Sequence, residues 1–268
     1  MVSRNQSAHT GEDMIEANAV YVIVAREFKK FIREKSRLIS TIARPLVWLF
    51  LVGGGMSRLI PAGKSVSYIQ FIFPGILGMT ILFSSIFSSI SIIWDKEFGF
   101  MKEILVAPIS RFSVVVGKAT SGMILSTIQV VIILAFFPFL GLKIGFVEIV
   151  GIILVSAVLS FAISSLGIVL ASFYDSYESF SVIMNFIVMP MFFLSGAMYP
   201  VKLMPPLLKA FTRINPLTYG IDAIKHLTFP SETGTMGADF PFYLDLLVIL
   251  AASIILVLIG GKSFERKG

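Results

Sequence analysis

The 268 residues include no cysteine and only two histidines, His9 and His226. Without cysteine there is no disulfide framework, no thiolate nucleophile and no Cys-ligated metal, and neither redox compartment is excluded. Charge is scarce as well. Asp, Glu, Lys and Arg make up 14% of the chain against 56% apolar residues, far from the balance of a soluble domain. The net charge of +6 is scattered between apolar runs and does not form the basic surface that nucleic acid requires. The first 19 residues hold Glu12, Asp13 and Glu16 and lack an apolar core. No cleaved signal peptide is therefore expected, and the first span must direct insertion itself. Asn5-Gln6-Ser7 has the form of a glycosylation acceptor, which is idle if that end stays inside the cell. Gly63-Lys64-Ser65 and Gly261-Lys262-Ser263 imitate the end of a phosphate-binding loop, but Arg58 and Leu256 replace its first glycine. No nucleotide site, domain repeat or low-complexity tract is present.

What the chain has is long apolar runs. Six reach or approach the roughly 20 residues that cross a bilayer: about Leu38–Leu59, Tyr68–Trp94, Val114–Leu140, Phe146–Phe173, Phe180–Met198 and Phe242–Gly261. Arg44 and Asp245 fall near the start of their spans, where a side chain can snorkel to the interface, and no ionisable residue is expected near a span centre. Fifteen Lys and Arg residues cluster on one side of these spans and seven on the other. The positive-inside rule then puts both termini and the 95–112 insert in the cytoplasm of a multi-pass cell (inner) membrane protein.

The fold expected is an all-α polytopic membrane protein in three parts. Residues 1–37 form a cytoplasmic tail and an amphipathic interfacial helix, with Val20, Val24, Phe28 and Phe31 on its apolar face. Residues 38–262 form six transmembrane helices, interrupted by the insert and by an external loop, 199–241. Residues 263–268 are a cytoplasmic tail. The insert is amphipathic: Phe98, Met101 and Leu105 share one helical face, with Lys96, Lys102 and Glu103 mostly on another. A short helix of this kind between two spans is a docking surface. The external loop should form two short helices, one through Leu207–Ile214 and one around Leu217–Leu227, broken at Asn215-Pro216.

Catalytic constellations are missing. Asp222 and His226 could share a helix face, but two ligands make a poor metal site, and no metal is expected. The serines of the spans, Ser84, Ser85, Ser88, Ser89, Ser91, Ser164 and Ser165, have no His or Lys base at their depth and read as interhelical hydrogen bonders. The mid-span polar groups Gln129 and Asn185 are neutral, which argues against a charged ion relay. Together with Phe87, Ser88, Phe192 and Phe193 they are the candidates to line a substrate path. The chain looks like the membrane half of a machine whose energy arrives from outside, with an ion-coupled secondary transporter or a membrane scaffold as the readings from other classes.

Three stretches carry a resemblance over nearly the whole chain. They are Glu97-Phe98-Gly99-Phe100-Met101-Lys102-Glu103-Ile104-Leu105-Val106-Ala107-Pro108-Ile109-Ser110-Arg111 with Gly117-Lys118, then Pro190 to Pro200, then Asn215-Pro216-Leu217-Thr218-Tyr219-Gly220-Ile221-Asp222-Ala223-Ile224-Lys225. In these the chain resembles the type-2 ABC exporter permeases, membrane subunits of drug, polysaccharide and lipid-linked glycan exporters. It departs from them at Lys225, where the family more often has Arg or Gln, and at Phe100, where many members carry a small or hydroxyl residue. The resemblance implies two permease copies working with two ATPase subunits that hold ATP and Mg, no enzymatic site in this chain, and contact with membrane lipids. It implies a drug-type amphipathic or lipid-like small-molecule substrate, with glycan export as the alternative. It implies ATPase coupling through Asp95, Lys96, Glu97, Phe98, Gly99, Met101, Lys102 and Glu103, with Pro108 and Arg111 shaping the next turn. Finally, it implies an external gate at Tyr199, Pro200, Asn215, Pro216 and Tyr219.

Overall fold

In the computed structural model the described residues are 16–57, 66–101, 106, 109–230 and 236–265, without the side chains of 36–38, 264 and 265. Lys102, Glu103 and Pro108 of the expected docking helix lie outside them. Every long element among the described residues is helical: α1 (Ala17–Arg33), α2 (Lys35–Trp48), α3 (Tyr68–Glu97), α4 (Arg111–Leu134), α5 (Phe146–Phe173), α6 (Tyr177–Phe193), α7 (Pro206–Ile214), α8 (Pro216–Thr228) and α9 (Phe242–Glu265).

Helix starts follow polar caps written in the sequence. The hydroxyl of Ser67 and the amide of Gln70 form a reciprocal capping box at α3. Ser110 accepts from the Ser113 N–H at α4, Ser176 from the Ser179 N–H at α6, and Asn215, followed by Pro216, from the Leu217 N–H at α8. Pro45 inside α2 donates no backbone bond, and the helix relaxes into a π-helical turn at Leu49–Gly53 before ending at Gly54–Met56.

Among the described residues five helices are long and apolar enough to cross a membrane: Ile39–Met56, Tyr68–Glu97, Arg111–Leu134, Phe146–Phe173 and Phe242–Ser263. The fifth expected span is shorter than read from sequence. Helix α6 has 17 residues, about 25 Å against a slab about 30 Å thick, and it ends in a turn closed by Gly196 at φ +75°. The third span is also shorter. Helix α4 stops at Leu134, and Phe137–Leu140 is a separate 3-10 turn because Pro138 cannot continue the ladder.

Helix α3 is the axis of the molecule. It packs on α2, α4, α5, α6 and α8, and its apolar window is mostly buried, whereas little of the windows at α2 and α9 is buried. Close approach is possible because α3 carries glycine at two crossings. A Cβ on Gly75 would strike the Ala197 backbone, and one on Gly78 would strike Ile221 of α8. Helix α8, expected as a short helix of the external loop, is thus seated among α3, α5 and α9.

Helix α1 follows its expected bounds to within a few residues and covers most of its expected apolar face, with Phe31 buried, Val20 and Val24 half-buried and Phe28 left exposed. It packs on α4 and buries Glu27 with Phe31, while Tyr21, Phe28 and Ile32 stay exposed along one stripe. A buried carboxylate on this face requires a partner, and the partner lies at the junction described next.

Candidate coupling site at the insert end

The last turns of α3 hold one of two buried ionic sets among the described residues. Lys118 of α4 is 4% exposed. Its ammonium donates to Glu27 Oε1 at 2.6 Å, to Asp95 Oδ2 at 2.6 Å and to Ser91 Oγ at 3.0 Å. The other oxygen of Asp95 accepts from Arg26 at 2.9 Å. Two carboxylates thus face two cations, and the set ties α1, α3 and α4 together with no surplus charge. Trp94 adds a further tie, lying 4.4 Å beneath the Lys30 ammonium of α1.

Lys96 binds in another direction. Its ammonium donates to the carbonyls of Ala171, Ser172 and Tyr174 at 2.8–3.1 Å and pairs with Asp175 at 3.1 Å. Those carbonyls end α5, where the helix dipole favours a cation. Asp95 and Lys96, expected on the docking face, are therefore turned into the bundle. They join the end of α3 to three other helices, α1, α4 and α5.

The docking helix is also not one continuous amphipathic face. Helix α3 ends at Glu97, and Gly99 adopts φ +81°, a left-handed turn suited to glycine. This break separates Phe98, 71% exposed, from Met101, 6% exposed. Phe98 and Glu97 stand beside a groove of about 370 Å³ that they share with Trp94, Ser176, Tyr177 and Glu178. The last three residues were not singled out from sequence. Only the fold brings the start of α6 to the end of α3. Arg111 opens α4 as its first residue, half-buried.

The expected path residues separate. Phe87 lies with Phe83 on α3 beneath the Arg44 guanidinium, at 6.0 and 5.2 Å. Gln129 is buried against the same corner, and its Oε1 has no hydrogen-bond partner. Ser88 faces the α3–α4 seam near Gly122. Asn185 is exposed on α6, with its amide donating to the Ser181 carbonyl of its own helix at 3.0 Å. Phe192 is buried and Phe193 exposed, their rings edge to face at 5.6 Å. Arg44, expected to snorkel from the start of its span, lies over the rings of Phe83 and Phe87 on α3 with its side chain exposed.

Among the expected gate residues, Asn215 and Tyr219 are buried structural ties. The Asn215 amide donates to the Met191 carbonyl at 2.7 Å, and the Tyr219 hydroxyl to the Arg213 carbonyl at 2.8 Å. Pro216 opens α8, Pro200 is buried, and Tyr199 remains the exposed member. Behind them lies a second buried ionic set. Lys225 pairs with Asp239 at 3.3 Å and Asp222 at 3.9 Å, and Asp222 accepts the N–H groups of Asp239 and Phe240. Burial pushes the Asp222 carboxyl above the ordinary value, while Lys225 and these N–H donors pull the other way. Donor atoms of Asp222, His226 and Asp245 lie within 4.8 Å of one another. His226 Nε2, however, donates to the Phe240 carbonyl at 2.8 Å, and Lys225 already supplies a cation.

Residues 18–229 match the family described as ABC-2 type transporter. The chain belongs to that family. It is 35% identical over 213 residues to the protein of Cyanophora paradoxa named transport permease ycf38, covering 78% of this chain and 73% of the relative. It is 27% identical over 231 residues to nodulation protein J of Rhizobium meliloti, covering 79% and 85%. It is 24% identical over 214 residues to the inner membrane transport permease YadH of Escherichia coli, covering 78% and 82%. The protein is a multi-pass membrane transport permease, and the buried charge at Asp95 and Lys118 falls within the matched region.

Proposed function

We propose that this chain is the permease subunit of an ATP-driven exporter, moving an amphipathic or lipid-like substrate out of the cytoplasm or inner leaflet. A separate ATPase subunit supplies the energy, and two permease copies form the membrane unit. Both termini and the insert face the cytoplasm of the inner membrane. The observation that carries the reading is the division of labour at the end of α3. Phe98 and Glu97 are offered to solvent beside a groove, while the neighbouring Asp95 and Lys96 are locked into α1, α4 and α5.

A partner that seats on Phe98 and the groove grips a lever whose other end is bonded to three more helices. Closure of an ATPase dimer then displaces α1, α3, α4 and α5 as one body. Such displacement shifts the permease only if the closed ATPase binds its two states with different affinity.

The test is co-purification of the tagged chain from its host in mild detergent. A stoichiometric ATPase subunit is expected, and Phe98→Asp should release it while the permease remains monodisperse. A chain that purifies alone, with no nucleotide hydrolysis in any fraction, overturns the proposal.

A further inference from the structure

Phe83 and Phe87 stand twelve and eight residues along α3 from Asp95. At 1.5 Å per residue, the guanidinium of Arg44 above them is about 12–18 Å from the ionic layer at Lys118. In a slab about 30 Å thick that depth is the interior. Arg44 is nonetheless exposed on this chain, and among the described residues no carboxylate comes within ion-pair distance of it. Glu27 and Asp95 are bound to Lys118, and Asp222 and Asp239 to Lys225 at the far end.

An unpaired cation at such depth is unfavourable and marks a functional group by default. The two aromatic faces stabilise its charge but leave its N–H fork without acceptors among the described residues. On the inner side, Gln129, Thr41, Thr80 and Ser84 enclose a space of about 10 Å³ with it, room for one water and no ligand. A ligand must therefore approach from the exposed side. There the chain offers Val47 of α2 and Phe50 and Leu51 of the π-helical turn that follows it, all exposed and apolar.

We propose that Arg44, seated on Phe83 and Phe87, is the anion-recognising group of the transport path, and that the cargo is an amphiphile whose head carries a phosphate or carboxylate. The word cargo rests on the exporter reading; the anion site does not. The planar fork of Arg44 takes two oxygens of such a head side by side, and the tail lies along the apolar surface of α2. A neutral head leaves the guanidinium unpaired, and that difference is the source of selectivity.

The experiment uses the full chain in phosphatidylcholine nanodiscs, with no nucleotide or partner. Two fluorophore-tailed probes are titrated, a phosphatidic acid and the diacylglycerol of the same tail, which differ only in the phosphate. The phosphatidic acid should bind about tenfold more tightly, a preference lost in Arg44→Gln, kept in part by Arg44→Lys and untouched by Lys209→Gln on the outer loop. Equal binding of the two probes, or an undiminished preference in a monodisperse Arg44→Gln, overturns the anion site. Displacement of the probe by millimolar inorganic phosphate assigns the site to a soluble anion and overturns the amphiphile. Since neither ATP nor an ATPase enters the assay, its failure and failure of the exporter reading are separate results.

Discussion

Replacing Lys118 by Met removes one ammonium from between two carboxylates that stay buried. Asp95 keeps Arg26 as its partner, but Glu27 loses its ion pair. Breaking a buried pair from one side destabilises by about 3–5 kcal/mol, since an uncompensated charge remains in low dielectric. Arg26→Gln removes a half-exposed partner while Lys118 still holds Asp95, so about 1 kcal/mol or less is expected. At about 2–4 °C per kcal/mol for a domain of this size, Lys118→Met should lower the melting temperature by about 6–20 °C and Arg26→Gln by no more than about 4 °C. The triple variant Glu27→Gln/Asp95→Asn/Lys118→Met removes all three charges together and should recover most of the loss. The assay is thermal unfolding in detergent followed by tryptophan fluorescence. The chain has two tryptophans, Trp48 and Trp94. In a Trp48→Phe background the signal comes from Trp94 alone, beside Lys30 of α1, and reports the docking of that helix. A Lys118→Met protein that melts within about 4 °C of the parent refutes the reasoning. So does a triple variant as unstable as the single one.

Gly78→Val should sharply reduce the yield of folded protein, because the added branch meets Ile221 of α8 and the two helices cannot separate without opening the core; a monodisperse Gly78→Val with parental melting temperature contradicts that packing. The raised Asp222 pKa makes a signed prediction. Its contribution to stability is fully present below the ordinary aspartate value of 3.8 and is lost as pH rises through its higher folded-state value. Melting curves of the parent and of Asp222→Asn across this range should show the parent losing stability relative to the variant with rising pH, and parallel curves would count against it.

Five of the six expected spans and the element order were legible because each rests on local chemistry. Tyr68–Trp94 and Phe146–Phe173 are too apolar to be anything but membrane-length helices, and Ser67, Ser110 and Asn215 mark where helices begin. Less local features misled. The amphipathic pattern from Phe98 to Leu105 assumes one unbroken helix, and Gly99 breaks it, sending Phe98 outward and Met101 inward. Asp95 and Lys96 looked like a charged surface because a sequence shows charge without showing partners. Glu27 and Lys118 could have been noticed as single acid and base groups on otherwise apolar faces, a pattern that asks for a buried partner without saying which. Asp222 and Lys225 were visible at i,i+3 spacing, but Asp239 and the N–H groups that complete their set arrive from a loop.

Composition and local pattern were sufficient for a helical membrane chain, its approximate spans and its family, since transfer into lipid and helix capping depend on a few neighbouring residues. Tertiary structure alone decided which charges are partnered. Lys118 meets Glu27 across 91 positions and Asp95 across 23, and Arg44 reaches Phe83 from a different helix. A buried charge is stabilised or stranded by what stands within a few ångströms of it, and that distance is a property of helix packing, which local sequence does not carry.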